Sequence, residues 1–122
     1  MITIKKAQVE LVAHLKEIRT VQEWAEWMGF KSAKQFSKQF CKYFGFRPQK
    51  SLVEIRLSCI VEVVVLNPEL SGYEIAWEVG LRDEKALYNF LVRHSGTSLT
   101  ELRNAISVYN DTKFPGKKRV IK

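Results

Sequence analysis

The sequence predicts an all-α fold, two short helical hairpins held on a long central helix. Three observations carry that expectation. The chain matches itself at an offset of 51 residues. The helices of each copy open on side-chain caps and close on glycines. The stretch between the copies is apolar at helical spacing.

The repeat runs from Thr20 to Gly45 against Ser71 to Gly96 without a gap. Glu23 aligns with Glu74, Ala25 with Ala76, Gly29 with Gly80 and Phe30 with Leu81. Lys31 then meets Arg82, Lys34 meets Lys85, Phe36 meets Leu87, Phe40 meets Leu91 and Lys42 meets Arg93. Identities are few, but apolar, glycine and cationic positions keep register. Such agreement points to one supersecondary unit used twice.

Taken in order, the first expected helix is Ala7 to Ile18, with Leu11, Leu15 and Ile18 on one face. Thr20 and Glu23 then form a capping box, in which hydroxyl and carboxylate satisfy free backbone N–H groups at a helix start. The helix they open spans 21–28. Gly29 suits the left-handed conformation that ends a helix without steric cost. Ser32, with Gln35 three residues later, opens a helix over 32–44 that carries Phe36, Phe40 and Phe44, and Gly45 closes it. Pro48 fits the first turn of a helix, and Leu52, Ile55, Cys59, Val63 and Leu66 continue it to the stop at Asn67-Pro68. Its stretch Ile60–Leu66 is rich in β-branched residues and favours strand. A lone strand between helical hairpins has no pairing partner, so helix is expected. Ser71 and Glu74 repeat the box before 72–79, and Gly80 ends that helix. Asp83 caps 83–94, closed by Gly96, and Ser98 to Val108 completes the set of seven.

A short helix, a tight glycine turn and a second helix make a helix-turn-helix unit. The expected organisation is a first unit over 1–47, a connecting helix over 48–66, a second unit over 67–108 and a basic, flexible tail over 109–122.

The 122 residues are 46% apolar and 27% charged, enough to fold as one domain. Twenty Lys and Arg against thirteen Asp and Glu give a net charge of +7, which favours a polyanionic partner. The distribution says more than the total. Residues 27–53 hold Lys31, Lys34, Lys38, Lys42, Arg47 and Lys50 and no acid, whereas 69–104 carry a net −2 and 105–122 a net +4. No apolar run reaches the length of a membrane span, and the N-terminus lacks a signal-peptide core. A cytoplasmic, nucleoid-associated location is expected. Cys41 and Cys59 lack zinc-site spacing and read as free thiols. His14 and His94 have no ligand partners nearby and read as packing or surface residues. No catalytic motif is present, so neither an enzyme nor a cofactor is expected.

The doubled pattern resembles the DNA-binding domain of the AraC/XylS family of bacterial transcription regulators. The resemblance rests on Val21-Gln-Glu-Trp-Ala-Glu-Trp-Met-Gly-Phe30, Ser32…Phe36…Phe40, Gly45-Phe-Arg-Pro48 and Ile55-Arg56-Leu57. It continues through Leu70-Ser71, Ile75-Ala76, Val79-Gly80-Leu81, Gly96 and Leu102-Arg103, and covers about 7–106. It implies seven helices in two homeodomain-like units and double-stranded DNA bound in two adjacent major grooves. It also implies contact with RNA polymerase, as an activator. The length leaves no room for a separate ligand-binding domain, so the chain resembles stand-alone members that act as monomers. Three positions depart from the family pattern. Leu99 replaces a proline, Leu91 stands where an aromatic is usual, and Ile60 replaces a small residue.

Carried over residue by residue, the first recognition helix presents Lys34, Ser37 and Lys38 to base edges, and the second presents Glu84, Lys85 and Asn89. Lys31, Lys42, Arg47, Lys50, Arg82 and Arg93 are expected at phosphates, which position without specifying. Glu84 fits a plain surface position equally well. The acidic balance of the second unit predicts weaker engagement there. It also supports the rival reading, a helical adaptor or anti-regulator that keeps the fold and binds a protein instead of DNA.

Overall fold

The computed structural model describes residues 3–113, with side chains up to Val108. Its seven α-helices are α1 (Ala7–Ala13), α2 (Val21–Trp27), α3 (Ala33–Phe44), α4 (Pro48–Leu66), α5 (Gly72–Glu78), α6 (Glu84–Ser95) and α7 (Leu99–Lys113). A single 3-10 turn, Ile4–Lys6, precedes α1. Among the described residues there is no strand.

Helix starts sit where the sequence supplies acceptors. The Thr20, Ser32 and Ser71 hydroxyls accept from the N–H groups of Glu23, Gln35 and Glu74, and the Asp83 carboxylate accepts from Ala86. At Ser71 the box is reciprocal, because the Glu74 carboxylate accepts from the Ser71 N–H. At Thr20 it is shifted, and Glu23 accepts from Arg19 instead. Ser98 and Glu101 form a further reciprocal box at α7. That box starts α7 where Leu99 stands in place of proline. The repeat is visible in backbone angles. Gly29 and Gly80 have φ of 90° and 80°, and Gly45 and Gly96 have 88° and 73°.

Pro48–Leu66 is one helix of 19 residues, about 28 Å long at 1.5 Å per residue. Its β-branched run is helical because α4 is the structural axis, touching each of the other six α-helices. Packing on several sides outweighs a propensity difference of a few tenths of a kcal/mol per residue. Ile60, the large residue at a position usually small, is fully buried in this core.

The two hairpins have different cores. In the first, Trp24, Phe36 and Phe40 pack with ring centroids 5.1 to 5.7 Å apart, flanked by Phe30 and Phe44. The buried Trp24 indole donates to the Ala7 carbonyl and so binds α1 to α2. In the second, Ile75, Val79, Leu87 and Leu91 fill the equivalent space with aliphatic side chains.

Two boundaries differ from the sequence reading. The first helix stops at Ala13, not Ile18, and residues 14–17 form turns. There the Leu15 carbonyl points at Gly80, where a β-carbon would stand 2.2 Å from its oxygen. Lys16 Nζ also reaches Glu78 Oε1 at 3.5 Å. A helix continued through Ile18 would direct the Leu15 carbonyl along its own axis, so docking on the second hairpin ends α1 early. At the other end α7 takes in residues up to Lys113. The rest of the expected tail, 114–122, lies outside the described residues.

Gly80 therefore meets two demands, a left-handed φ and a missing side chain. Gly80→Ala is expected to lower stability by about 3 kcal/mol or more, and Gly45→Ala, with open space around it, by about 1 kcal/mol. Urea unfolding midpoints of the two variants check the difference, and equal losses would refute the packing argument.

Candidate nucleic-acid interface

Phe36 and Phe40 fix one side of α3 in the core, which turns Lys34, Ser37, Lys38, Cys41 and Lys42 outward. Lys34, Lys38 and Lys42 are exposed and Ser37 is half-buried. Arg47 is the cap residue of α4 and Lys50 lies in its first turn, both exposed. Among the described residues, none of the cations at 31, 34, 38, 42, 47 and 50 forms an ion pair. Ser37, Lys38 and Arg47 meet around one groove, together with Cys41 and Gln49, over Val21 and Pro48. Lys31, Lys34, Lys42 and Lys50 stand outside it. The starts of α2 and α4 both open onto this groove, and their backbone N–H groups favour anions there.

The start of α3 follows the same logic. Its cap is neutral, its first turn holds no acid, and Lys34 sits beside the positive end of the helix dipole. Such a placement costs roughly 0.3–1 kcal/mol in the absence of an anion. The start of α6 is the reverse, with Asp83 as cap and Glu84 in the first turn.

On the second hairpin Arg82, Lys85, Asn89 and Arg93 line one groove, with Asp83, Phe90 and His94. The Arg82 guanidinium lies 3.9 Å from the Asp83 carboxylate, so part of its charge is offset locally. Glu84 is not in this groove. Its side chain folds over Gly72 at the start of α5, where a β-carbon would stand 2.5 Å from its carboxylate oxygen. Glu84 thus lies over the start of α5, outside the groove that holds Lys85 and Asn89.

Two outward residues of α6 escaped the sequence reading. Tyr88 and Val92 are 55% and 44% exposed and share the face that carries Lys85 and Asn89. The signal for them was present, because the offset of 51 pairs Tyr88 with Ser37 and Val92 with Cys41.

Arg56 was also unassigned. It is 5% exposed, and its Nε and Nη2 donate to the carbonyls of Val79 at 2.9 Å and Ile18 at 3.1 Å. One side chain of α4 thereby joins the turn before α2 to the end of α5, and sets the two hairpins relative to each other. Burial pushes its guanidinium below the ordinary value. Arg103 repeats the device from α7, donating to the Leu70 carbonyl just ahead of the Ser71 cap. The remaining titratable groups read from the sequence have structural surroundings. His14 packs on Trp27 and His94 on Phe90, and both cysteines are free thiols. Burial raises the Cys59 thiol above its usual value. Among the described residues no helix is long and apolar enough to cross a membrane.

Solved structures share this architecture. The C-terminal domain of AraT, a response regulator from Geobacillus stearothermophilus, superposes with a TM-score of 0.71 at 21% identity, over 84% of each chain. The DNA-binding domain of AdpA, a global transcriptional factor in complex with a target DNA, gives 0.70 at 22% identity, over 95% of this chain and 99% of that one. An AraC-type transcriptional regulator from Chromobacterium violaceum gives 0.66 at 20% identity, over 84% and 90%. This chain has the AraC-type DNA-binding fold. No family model matches the sequence, and no curated protein matches it either. The repeat makes α3 and α6 equivalent helices of the two units.

The Arg56 strut has a direct test. Arg56→Met, which keeps bulk and removes both donors, is expected to cost roughly 3 kcal/mol by leaving two buried carbonyls unpaired. Arg56→Lys should recover only part of the loss, since an ammonium lacks the planar fork that spans both acceptors. Chemical denaturation of the three proteins is the measurement, and full recovery with lysine would dismiss the two-carbonyl bridge.

Proposed function

We propose that this chain is a sequence-specific, double-stranded DNA-binding transcription regulator that acts as a monomer and places α3 and α6 in adjacent major grooves. The observation that carries the reading is the set of six exposed, unpaired cations on and beside α3, two of which, Lys38 and Arg47, converge with Ser37 on one groove. A solvated helix face ordinarily mixes signs, and this one holds no acid between residues 27 and 53. The AraC-type fold supports it, since the AdpA domain of that fold is seen in complex with a target DNA.

On this reading Lys34, Ser37 and Lys38 address base edges from α3, and Lys donors suit guanine O6 and N7. Lys85 and Asn89 address them from α6, where Asn pairs bidentately with adenine. Lys31, Lys42, Arg47, Lys50, Arg82 and Arg93 meet phosphates. The central helix, about 28 Å long, suits recognition helices near one turn of DNA apart, about 34 Å.

Fluorescence anisotropy with duplexes selected from a random pool tests the proposal. Six phosphate contacts give an expected slope of log K against log salt of roughly −5. Lys38→Ala should weaken binding to the selected duplex by tenfold or more and Asn89→Ala by less, because the first unit carries the larger share of the attraction. Equal losses would remove the asymmetry. Absence of binding at low salt, together with a pull-down that returns only protein, would establish the adaptor reading instead.

A further inference from the structure

The outward stripe of α6 has a chemistry unlike that of α3. Lys85, Tyr88, Asn89 and Val92 lie at i, i+3, i+4 and i+7, opposite the buried Leu87 and Leu91. Tyr88 and Val92 do not complete the core. Phe90 lies on the other flank of α6, where its ring packs on His94 at 4.7 Å and faces the Arg56 guanidinium at 5.9 Å. A scattered exposed valine needs no explanation. An aromatic and a valine set between two hydrogen-bonding side chains, on the surface whose repeat counterpart in α3 carries Ser37, Lys38 and Cys41, form a patterned surface. Lys85 and Arg93 frame it with positive charge.

Resting on the DNA-binding reading above, we propose that α6 reads thymine methyl groups through Val92 and Tyr88, beside an adenine held by Asn89. The half-site under α6 is then an A·T step, whereas the half-site under α3 contains guanine. In the major groove the thymine C5-methyl is the base-edge feature that an apolar side chain can cover without burying a donor or acceptor. Against guanine, the same valine would cover the N7 and O6 acceptors and leave them unpaired, a penalty each way. Asn89 supports the same base pair, since its bidentate partner adenine brings thymine opposite. Glu84, the acid whose natural base partner is cytosine N4, is turned away onto Gly72, so the stripe holds no carboxylate for a cytosine. Tyr88 and Val92 are specificity-determining residues in this scheme, and most of the phosphate attraction comes from the first unit.

The test replaces thymines by deoxyuridine, one position at a time, in the duplex that the full chain selects from a random pool. Deoxyuridine pairs as thymine does and lacks only the methyl. Binding should weaken about fourfold at one or two thymines, the value of one buried methyl. Those thymines should lie about one helical turn from the positions where Lys38→Ala relaxes selection. The double variant Tyr88→Ser/Val92→Ser, which removes both apolar contacts, should bind the thymine and deoxyuridine duplexes equally, with an unchanged salt slope and an unfolding midpoint close to that of the wild type. If the wild-type chain selects a duplex but no deoxyuridine matters, methyl reading is refuted and DNA binding stands. If sensitivity survives in that double variant, or maps onto the Lys38 half-site, the assignment to α6 is wrong. If no duplex is selected and no salt-dependent binding is seen, the DNA-binding reading itself fails and takes this proposal with it.

Discussion

One buried guanidinium determines how the rest of this molecule is arranged. Arg56 projects from the middle of α4 and satisfies two carbonyls that no helix hydrogen bond takes up. The Ile18 carbonyl lies ahead of the α2 cap and the Val79 carbonyl at the C-terminal end of α5. Taking a guanidinium out of water is costly, and its lowered pKa records that cost. Two good acceptors and the face of Phe90 offset it. Because the acceptors belong to different hairpins, the bond pattern is met in only one relative setting of the two. Gly80 enforces the same setting from outside by letting the Leu15 backbone approach closely. The two outward helices are thus oriented before any partner arrives, which reduces the ordering cost of binding.

The doubled unit shows which features the scaffold needs twice and which are free to diverge. Caps, left-handed glycines and an arginine strut from the following helix occur in both halves. These manage backbone groups that no hydrophobic core can satisfy. Core chemistry is free: aromatics fill the first hairpin and aliphatics the second, and Leu91 is buried as fully as its counterpart Phe40. Outward chemistry diverges most, since nothing in the fold constrains it.

The sequence disclosed most where the signal is local. Capping residues and glycines are read within one turn of the chain, so all seven helix starts fall within a residue of expectation, and Pro48 and Asn67 bracket α4 as expected. What it did not disclose depends on partners distant in the chain. The end of α1 is set by contact with Gly80, the fate of Glu84 by Gly72, and the role of Arg56 by carbonyls 38 and 23 residues away. The end of α7 is a different case. No glycine or proline stands between Val108 and Pro115, so helix propagates through residues whose charge suggested a tail. Tyr88 and Val92 were legible in principle, since applying the repeat to outward positions as strictly as to inward ones identifies them.

The charge asymmetry has a consequence for the order of events on the proposed reading. The start of α3 is strained against its own dipole by Lys34 and lacks an acid, so an arriving phosphate relieves a cost already present in the folded protein. The start of α6 is already satisfied by Asp83 and its acidic first turn, so an anion there gains little. Electrostatic attraction acts over a Debye length, whereas methyl and amide contacts act only on touching. On the proposed reading, the cationic hairpin would therefore make the first lasting contact with DNA. The second, held rigidly by Arg56, tests each adjacent groove for shape and apolar fit. A second hairpin as cationic as the first would hold the chain on any sequence. On the proposed reading, its net −2 would keep non-specific binding weak enough for that test to matter.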